Sequence, residues 1–318
     1  MLLKKSGLNC NDFKNFTSHP SMNKNIHHLT QLGLAILIMS SSGTLGSYIS
    51  LPPPLTIWIR CFLGVMALWL FLKWTKQSTF IGWGKDFQLL AVSSIFLGLH
   101  WVSYFYALSA SGVAVGMLSL FTYPVITSLL EPFMLKTKFK IWDMALAFVA
   151  FSGIFFLIPE YSLDNSTTVG AVVGMFSAFF YSIRNILLKK NISEHSGSTL
   201  MYYQLLIISI LLCPVVFLTD FNLTASILSK QWHALLILGL FTTTIGHTLF
   251  VMSFKHFTIT AVSIISNLTP LFGIILGYLF LNEVPNERVL IGGGIIMFSV
   301  MAESIRAIMS GNKKGAAN

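Results

Sequence analysis

Long apolar runs, separated by short polar or proline-rich breaks, dominate this chain. A helix that crosses a bilayer needs about 20 mostly apolar residues. Windows of that kind fall at 29–49, 55–74, 87–108, 111–135, 141–158, 168–188, 199–219, 232–254, 258–281 and 288–308. Most breaks carry a turn or charge signal, such as Pro52-Pro53-Pro54, the lysine-rich 136–140 and the polar 282–288. The third and fourth runs are joined only by the slight link 109–112. The pattern predicts an all-α integral membrane protein with ten transmembrane helices.

Composition supports this class. The chain is 54% hydrophobic and only 10% charged, where a soluble domain carries about 25% charged residues. The net charge of +9 raises the question of nucleic acid. No stripe of Lys and Arg interleaved with aromatics is present to track phosphates, so no nucleic-acid partner is expected. The basic residues instead report orientation. With a cytoplasmic N-terminus and ten alternating helices, all but three of the 20 basic residues lie on the cytoplasmic side, the exceptions being Arg60, Lys230 and Arg288. The positive-inside rule then places both termini in the cytoplasm and the chain in a cell (inner or plasma) membrane, surrounded by lipid. Residues 1–28 lack the apolar stretch of a signal peptide and read as a disordered cytoplasmic tail, with Met22 as an alternative start; 309–318 reads as a second tail. Cys10, Cys61 and Cys213 have no metal spacing, and no metal or cofactor is expected.

A repeat organises the spans. A shift of 146 residues lays the third to fifth spans on the eighth to tenth: Pro124 meets Pro270, Leu130 meets Leu276, Leu135 meets Leu281, and 136–140 meets 282–286. A shift of 144 lays the second span on the seventh, with Arg60 opposite Gln204. Five helices per copy is an odd number, so the second copy enters from the opposite side. The expectation is two inverted five-helix repeats, 29–158 and 168–308, as in secondary transporters. A chance match among apolar helices is the alternative. Pro124 and Pro270 lie about 18–20 Å into their helices at 1.5 Å per residue. Matched interruptions near the midplane point to a gating role at a transport site, against the plainer reading of static kinks.

These features resemble the drug/metabolite transporter superfamily, specifically its EamA-type members, over roughly residues 29–308. The resemblance rests on the arginine after the proline-rich link (Pro54 to Arg60), the short turn 107–114, Pro124, Thr269-Pro270, and the run 277–283 (GYLFLNE), which is like the family's apolar stretch ending in Leu-x-Glu. The first repeat departs from this pattern, with Thr137 opposite Glu283. The resemblance implies a central cavity walled by the first four helices of each repeat, with the fifth and tenth peripheral.

Polar residues inside spans mark the candidate site, because such groups face a bundle interior or cavity. His100 and Tyr104 share a helix face in the third span, and Trp101 lies beside them. His247 aligns with Trp101 in the other repeat. Tyr181 and Asn267 complete the expected substrate-binding set of His100, Trp101, Tyr104, His247, Tyr181 and Asn267; Tyr123 and Gln204 are weaker candidates. Arg184 is expected to snorkel to the cytoplasmic interface beside Lys189 and Lys190, the alternative being an anion contact in the cavity. Arg60 is read as a partner for Glu283, on the same outer side. Gly112/Gly116, Gly170/Gly174 and Gly273/Gly277 are GxxxG pairs that permit close helix packing.

No catalytic residues are expected: the chain has no His-Glu-x-x-His and no Gly-x-Ser-x-Gly. A phosphate-binding loop with Lys-Ser/Thr is also absent, which argues against a primary pump. The expected function is secondary transport, in the export direction, of a small organic metabolite such as an amino acid, by alternating access in a monomer or homodimer. A passive channel and a membrane-embedded enzyme are the alternative readings.

Overall fold

The computed structural model describes residues 20–77, 81, 82, 84–136, 141–189, 195–253, 256, 257, 262 and 265–315. Every regular element among them is helical: α1 (Pro20–Tyr48), α2 (Pro53–Trp74), α3 (Lys85–Leu120), α4 (Tyr123–Leu135), α5 (Ile141–Leu157), α6 (Ser166–Lys189), α7 (Gly197–Leu218), α8 (Phe221–Leu236), a π-helical segment (Ile237–His247), α9 (Thr248–Ser253), α10 (Leu268–Leu281) and α11 (Glu287–Gly315). Seven of these helices, counting 224–253 as one, are long and apolar enough to cross a membrane, and α5 and α10 are shorter apolar helices. The 36-residue α3 holds the third span and the start of the fourth, and α4 completes the fourth. Ten spans result, as the hydropathy pattern predicts.

Local chemistry sets the ends. Pro53 and Pro54 open α2, where a missing backbone N–H costs nothing. Lys136 closes α4 and Asn282 closes α10, both in the left-handed conformation (φ 54° and 55°) that ends many helices. These two residues are 146 apart, the same offset that relates Pro124 to Pro270.

Three differences from the sequence reading stand out. The first helix starts at Pro20, within the stretch expected to be a disordered tail, and α11 runs on to Gly315 past the expected end at 308. The link between the third and fourth spans is a single residue: helix hydrogen bonding carries across Gly112, whose φ of 78° and ψ of 177° turn the chain. The eighth span runs from Phe221 to Ser253 and is π-helical over Ile237–His247. The start of the ninth span, at 258–261, lies outside the described residues.

The largest packing pairs follow an exchange of the two halves. The first span packs on the eighth and ninth (α1 on the π segment, α9 and α10), and the sixth packs on the third and fourth (α6 on α3 and α4). The second packs on the seventh (α2 on α7), and the fifth on the tenth (α5 on α11). Adding five to each span number exchanges the 1–8 and 1–9 pairs with 6–3 and 6–4 and returns 2–7 and 5–10 to themselves, whereas the contact of the first span with the third has no counterpart of similar extent between the sixth and the eighth. Close approach is achieved with small residues. A Cβ at Gly170 would lie 2.2 Å from Ser111 Oγ, and one at Gly153 would lie 2.8 Å from the carbonyl of Gly292. The α5–α11 pair sits to one side and is tied at one end by Arg306, whose Nη2 contacts Asp143 and donates to Glu303 Oε2 at 2.7 Å.

Candidate functional site

A small cavity of about 60 Å³ lies among the helices, well below the ~300–1,000 Å³ usual for sites that enclose a small molecule. His100, Trp101, Tyr104, Tyr181 and His247 all line it. Five of the six expected binding residues therefore share one wall system. Asn267 is not among the lining residues: it sits in the turn before α10, and its Nδ2 donates to Ser304 Oγ at 3.3 Å. Its neighbours Ser266 and Thr269 do face the cavity, as does Tyr123.

His100 is held in one orientation. Its Nδ1 is 2.7 Å from Ser177 Oγ, and that hydroxyl is 2.9 Å from the carbonyl of His100 itself. A carbonyl only accepts, so the single hydroxyl hydrogen goes there, and the Ser177 oxygen accepts from Nδ1–H. The neutral ring then presents Nε2 as an acceptor, and Nε2 has no hydrogen-bond partner among the described residues. Tyr104 and Tyr181 flank the imidazole at centroid distances of 6.0 and 4.4 Å. Tyr104 fits because Gly43 is opposite; a Cβ there would lie 2.9 Å from the tyrosine Oη.

Trp101 and His247, aligned across the two repeats, touch each other edge to face with centroids 5.2 Å apart. The π segment brings His247 to this contact. Within it, Thr243 and Thr244 return their hydroxyls to carbonyls five residues back, Leu238 and Gly239, at 2.7 and 2.8 Å. Insertions of this type are found often at functional sites.

The two expected gating prolines stand at helix breaks. The turn at Phe121-Thr122 separates α3 from α4, and Pro124 is in the first turn after it. The turn at Asn267 precedes α10, and Pro270 is in its first turn. Each proline lacks the N–H that would have bridged the break. Pro132 and Pro214 lie inside helices that continue, so proline alone does not make a break.

Two expectations about charged residues are overturned. Arg60 does not meet Glu283; its Nε donates to Thr243 Oγ1 at 2.8 Å, and its guanidinium lies 4.3 Å over the Trp101 ring. Glu283 instead caps the start of the fourth span, its Oε2 accepting from Val113 N at 2.7 Å and its Oε1 from Ser47 Oγ at 3.1 Å. Arg184 does not snorkel. It is 1% exposed, and its Nη2 donates to Gln204 Oε1 at 2.7 Å. Distance along a helix reports depth but not which face a side chain takes, which is why both were misplaced. Ser177, the partner of His100, gave no signal in the sequence.

The EamA-like transporter family model matches residues 30–158 and again 168–303. The chain belongs to the EamA-like transporter family. It is a multi-pass membrane transporter, and not an enzyme. Among the relatives of this EamA-family protein, the pseudopaline exporter of Pseudomonas aeruginosa is 23% identical over 84% of this chain and 89% of its own length. An uncharacterized transporter of Synechocystis is 23% identical over 95% of this chain and 93% of its own length. One solved crystal structure shares the fold, with a TM-score of 0.61 and 15% identity over 86% of this chain and 95% of its own.

Proposed function

We propose that this EamA-family protein is a secondary transporter that exports a small organic metabolite, such as an amino acid, by alternating access through the central cavity. The observation that carries the reading is the pair of helix breaks at 121–122 and 267, with the cavity between them. Discontinuous helices at the interface of inverted repeats are the parts that move around a fixed midplane site. Export as the direction rests on likeness to the pseudopaline exporter.

His100, Trp101, Tyr104, Tyr181 and His247 are the substrate contacts, with Nε2 of His100 accepting an N–H or O–H of the substrate. Asn267 joins them from the break, where its Oδ1 has no partner among the described residues. Pro124 and Pro270 set the hinges. The distribution of basic residues puts both termini in the cytoplasm and the chain in the cell membrane. That orientation makes outer-side closures of the Glu283 clasp and of Gln231, whose Nε2 donates to the Tyr48 carbonyl and whose Oε1 accepts from Ser50 N–H. A single chain contains the whole cavity, so a monomer suffices.

The test is a thermal-shift and uptake screen of amino acids and other metabolites on purified protein, repeated with His100→Ala. Loss of one hydrogen bond of about 1–1.5 kcal/mol corresponds to roughly tenfold weaker binding. The expected result is that weakening, with little change in melting temperature without ligand. Unchanged affinity in a folded His100→Ala protein would put the site elsewhere.

A further inference from the structure

Two guanidinium groups lie directly behind the cavity wall. Arg60 in α2 is fully buried and has both Nη1 and Nη2 without a hydrogen-bond partner. Its Cζ stands over the rings of Trp101 and Phe105, at 4.3 and 5.5 Å. Arg184 in α6 donates to Asn185 Oδ1 at 3.0 Å and to Gln204 Oε1 at 2.7 Å, while its Nε is unpartnered. Its Cζ lies 5.9 Å from the Tyr181 ring. Gln204 is fixed in turn by donating to Ser93 Oγ at 3.1 Å. Trp101 and Tyr181 both line the cavity, so each arginine backs an aromatic of the wall.

Neither arginine has a carboxylate partner among the described residues, and no acidic residue lines the cavity. Arg306, by contrast, has both Asp143 and Glu303. A guanidinium stays protonated in proteins, and a buried charge without a counter-charge is unfavourable. Amide oxygens, one hydroxyl and aromatic faces satisfy the two groups only in part. The centre therefore holds two positive charges and no negative one. An anion entering the cavity balances them. Coulomb attraction from each guanidinium, little screened in this interior, favours an anion over a neutral molecule of the same size.

We propose that the cavity takes a small organic anion, a carboxylate or a phosphate ester, selected by the charges of Arg60 and Arg184. The inference rests on the reading of the central cavity as the transport site. It adds a sign to the substrate: neutral and cationic analogues of the same size are rejected. Nε2 of His100 would serve an anion that also carries an N–H or O–H donor.

The experiment is calorimetric titration of the purified full-length protein. The ligands are a series of carboxylates and phosphate esters, each beside its neutral amide or alcohol and a cationic amine of similar size. Saturable binding of one anion class, about tenfold or more tighter than its neutral counterpart, is expected, and the two arms show which anion it is. Arg60→Gln and Arg184→Gln should each weaken anion binding about tenfold while sparing the neutral analogue, and Arg60→Lys should recover most of the loss because it restores the charge. Equal or tighter binding of neutral or cationic ligands overturns the proposal. So does full anion affinity in both Gln variants. His100→Ala separates the two readings. Anion binding that needs the arginines but not His100 keeps the anion and removes the assigned contact to His100 Nε2. Neutral metabolites that need His100 but not the arginines keep the cavity and remove the anion. Where a Gln variant does not fold, the ligand preference of the unaltered protein decides alone.

Discussion

At the residue scale, the site is a set of side chains that the sequence placed in apolar spans against their own solvation preference. His100 is tolerable there because Ser177 takes its Nδ1–H and then passes its own hydrogen to the His100 carbonyl. Ser177→Ala should therefore release the ring and leave a buried N–H unpaired, at about 1–3 kcal/mol. Thermal unfolding of the purified protein would show the loss, and an unchanged melting temperature would contradict the assigned bond. Trp101→Ala should be more severe, about 3–5 kcal/mol, because the ring is buried and carries Arg60 on one face and His247 at its edge. The pairing of His100 with Tyr104 was legible from their four-residue spacing, and His247 from its alignment with Trp101. The arginine layer was not. Arg60 follows the proline-rich link near a helix start and Arg184 sits near a helix end beside Lys189 and Lys190, and nothing local reveals that Thr243 and Gln204 wait on neighbouring helices.

At the element scale, the proposed transport cycle uses the places where helices fail to be regular. The breaks at 121–122 and 267 were foreshadowed by Pro124 and Pro270, whereas the π segment 237–247 was not, since its sequence has ordinary apolar periodicity and lacks proline. Pro124→Ala and Pro270→Ala should leave the protein folded and slow transport, because they restore the N–H that lets the helix close across its break. Wild-type transport rates in both would reduce the prolines to packing features. Gly112 makes a different demand. Its φ of 78° is strained for any residue with a Cβ, and that Cβ would lie 2.9 Å from Glu283 Oε2. Gly112→Ala is expected to destabilise the fold by about 1–2 kcal/mol from the backbone alone. Glu283→Ala should lose a cap of about 0.5–2 kcal/mol. It should also open the outer closure, raising the reactivity of a cysteine placed at Ser47 toward an impermeant thiol reagent. Unaltered reactivity at that position would show that the clasp does not hold the outer side.

At the scale of the whole molecule, the largest helix pairs are consistent with two exchanged five-helix halves, and Trp101 and His247, aligned by the same sequence offset, both line the cavity. Ten spans and a double match to one family were legible because hydropathy and punctuation survive when identities do not. Lysine and arginine placement predicts both termini in the cytoplasm, and cysteine labelling tests that orientation. In a background without Cys10, Cys61 and Cys213, single cysteines at Asp164 and Lys136 should react from opposite sides of the membrane in intact cells. Labelling of both by an impermeant reagent would overturn the topology. The central claim is that one site between the halves is exposed alternately to the two sides. Solute counterflow in proteoliposomes tests it most directly, using the metabolite that most stabilises the purified protein. The account predicts saturable uptake that is accelerated by unlabelled solute trapped inside and is lost in His100→Ala. Flux that rises linearly with concentration and ignores the trapped solute would contradict it, and would make the protein a channel.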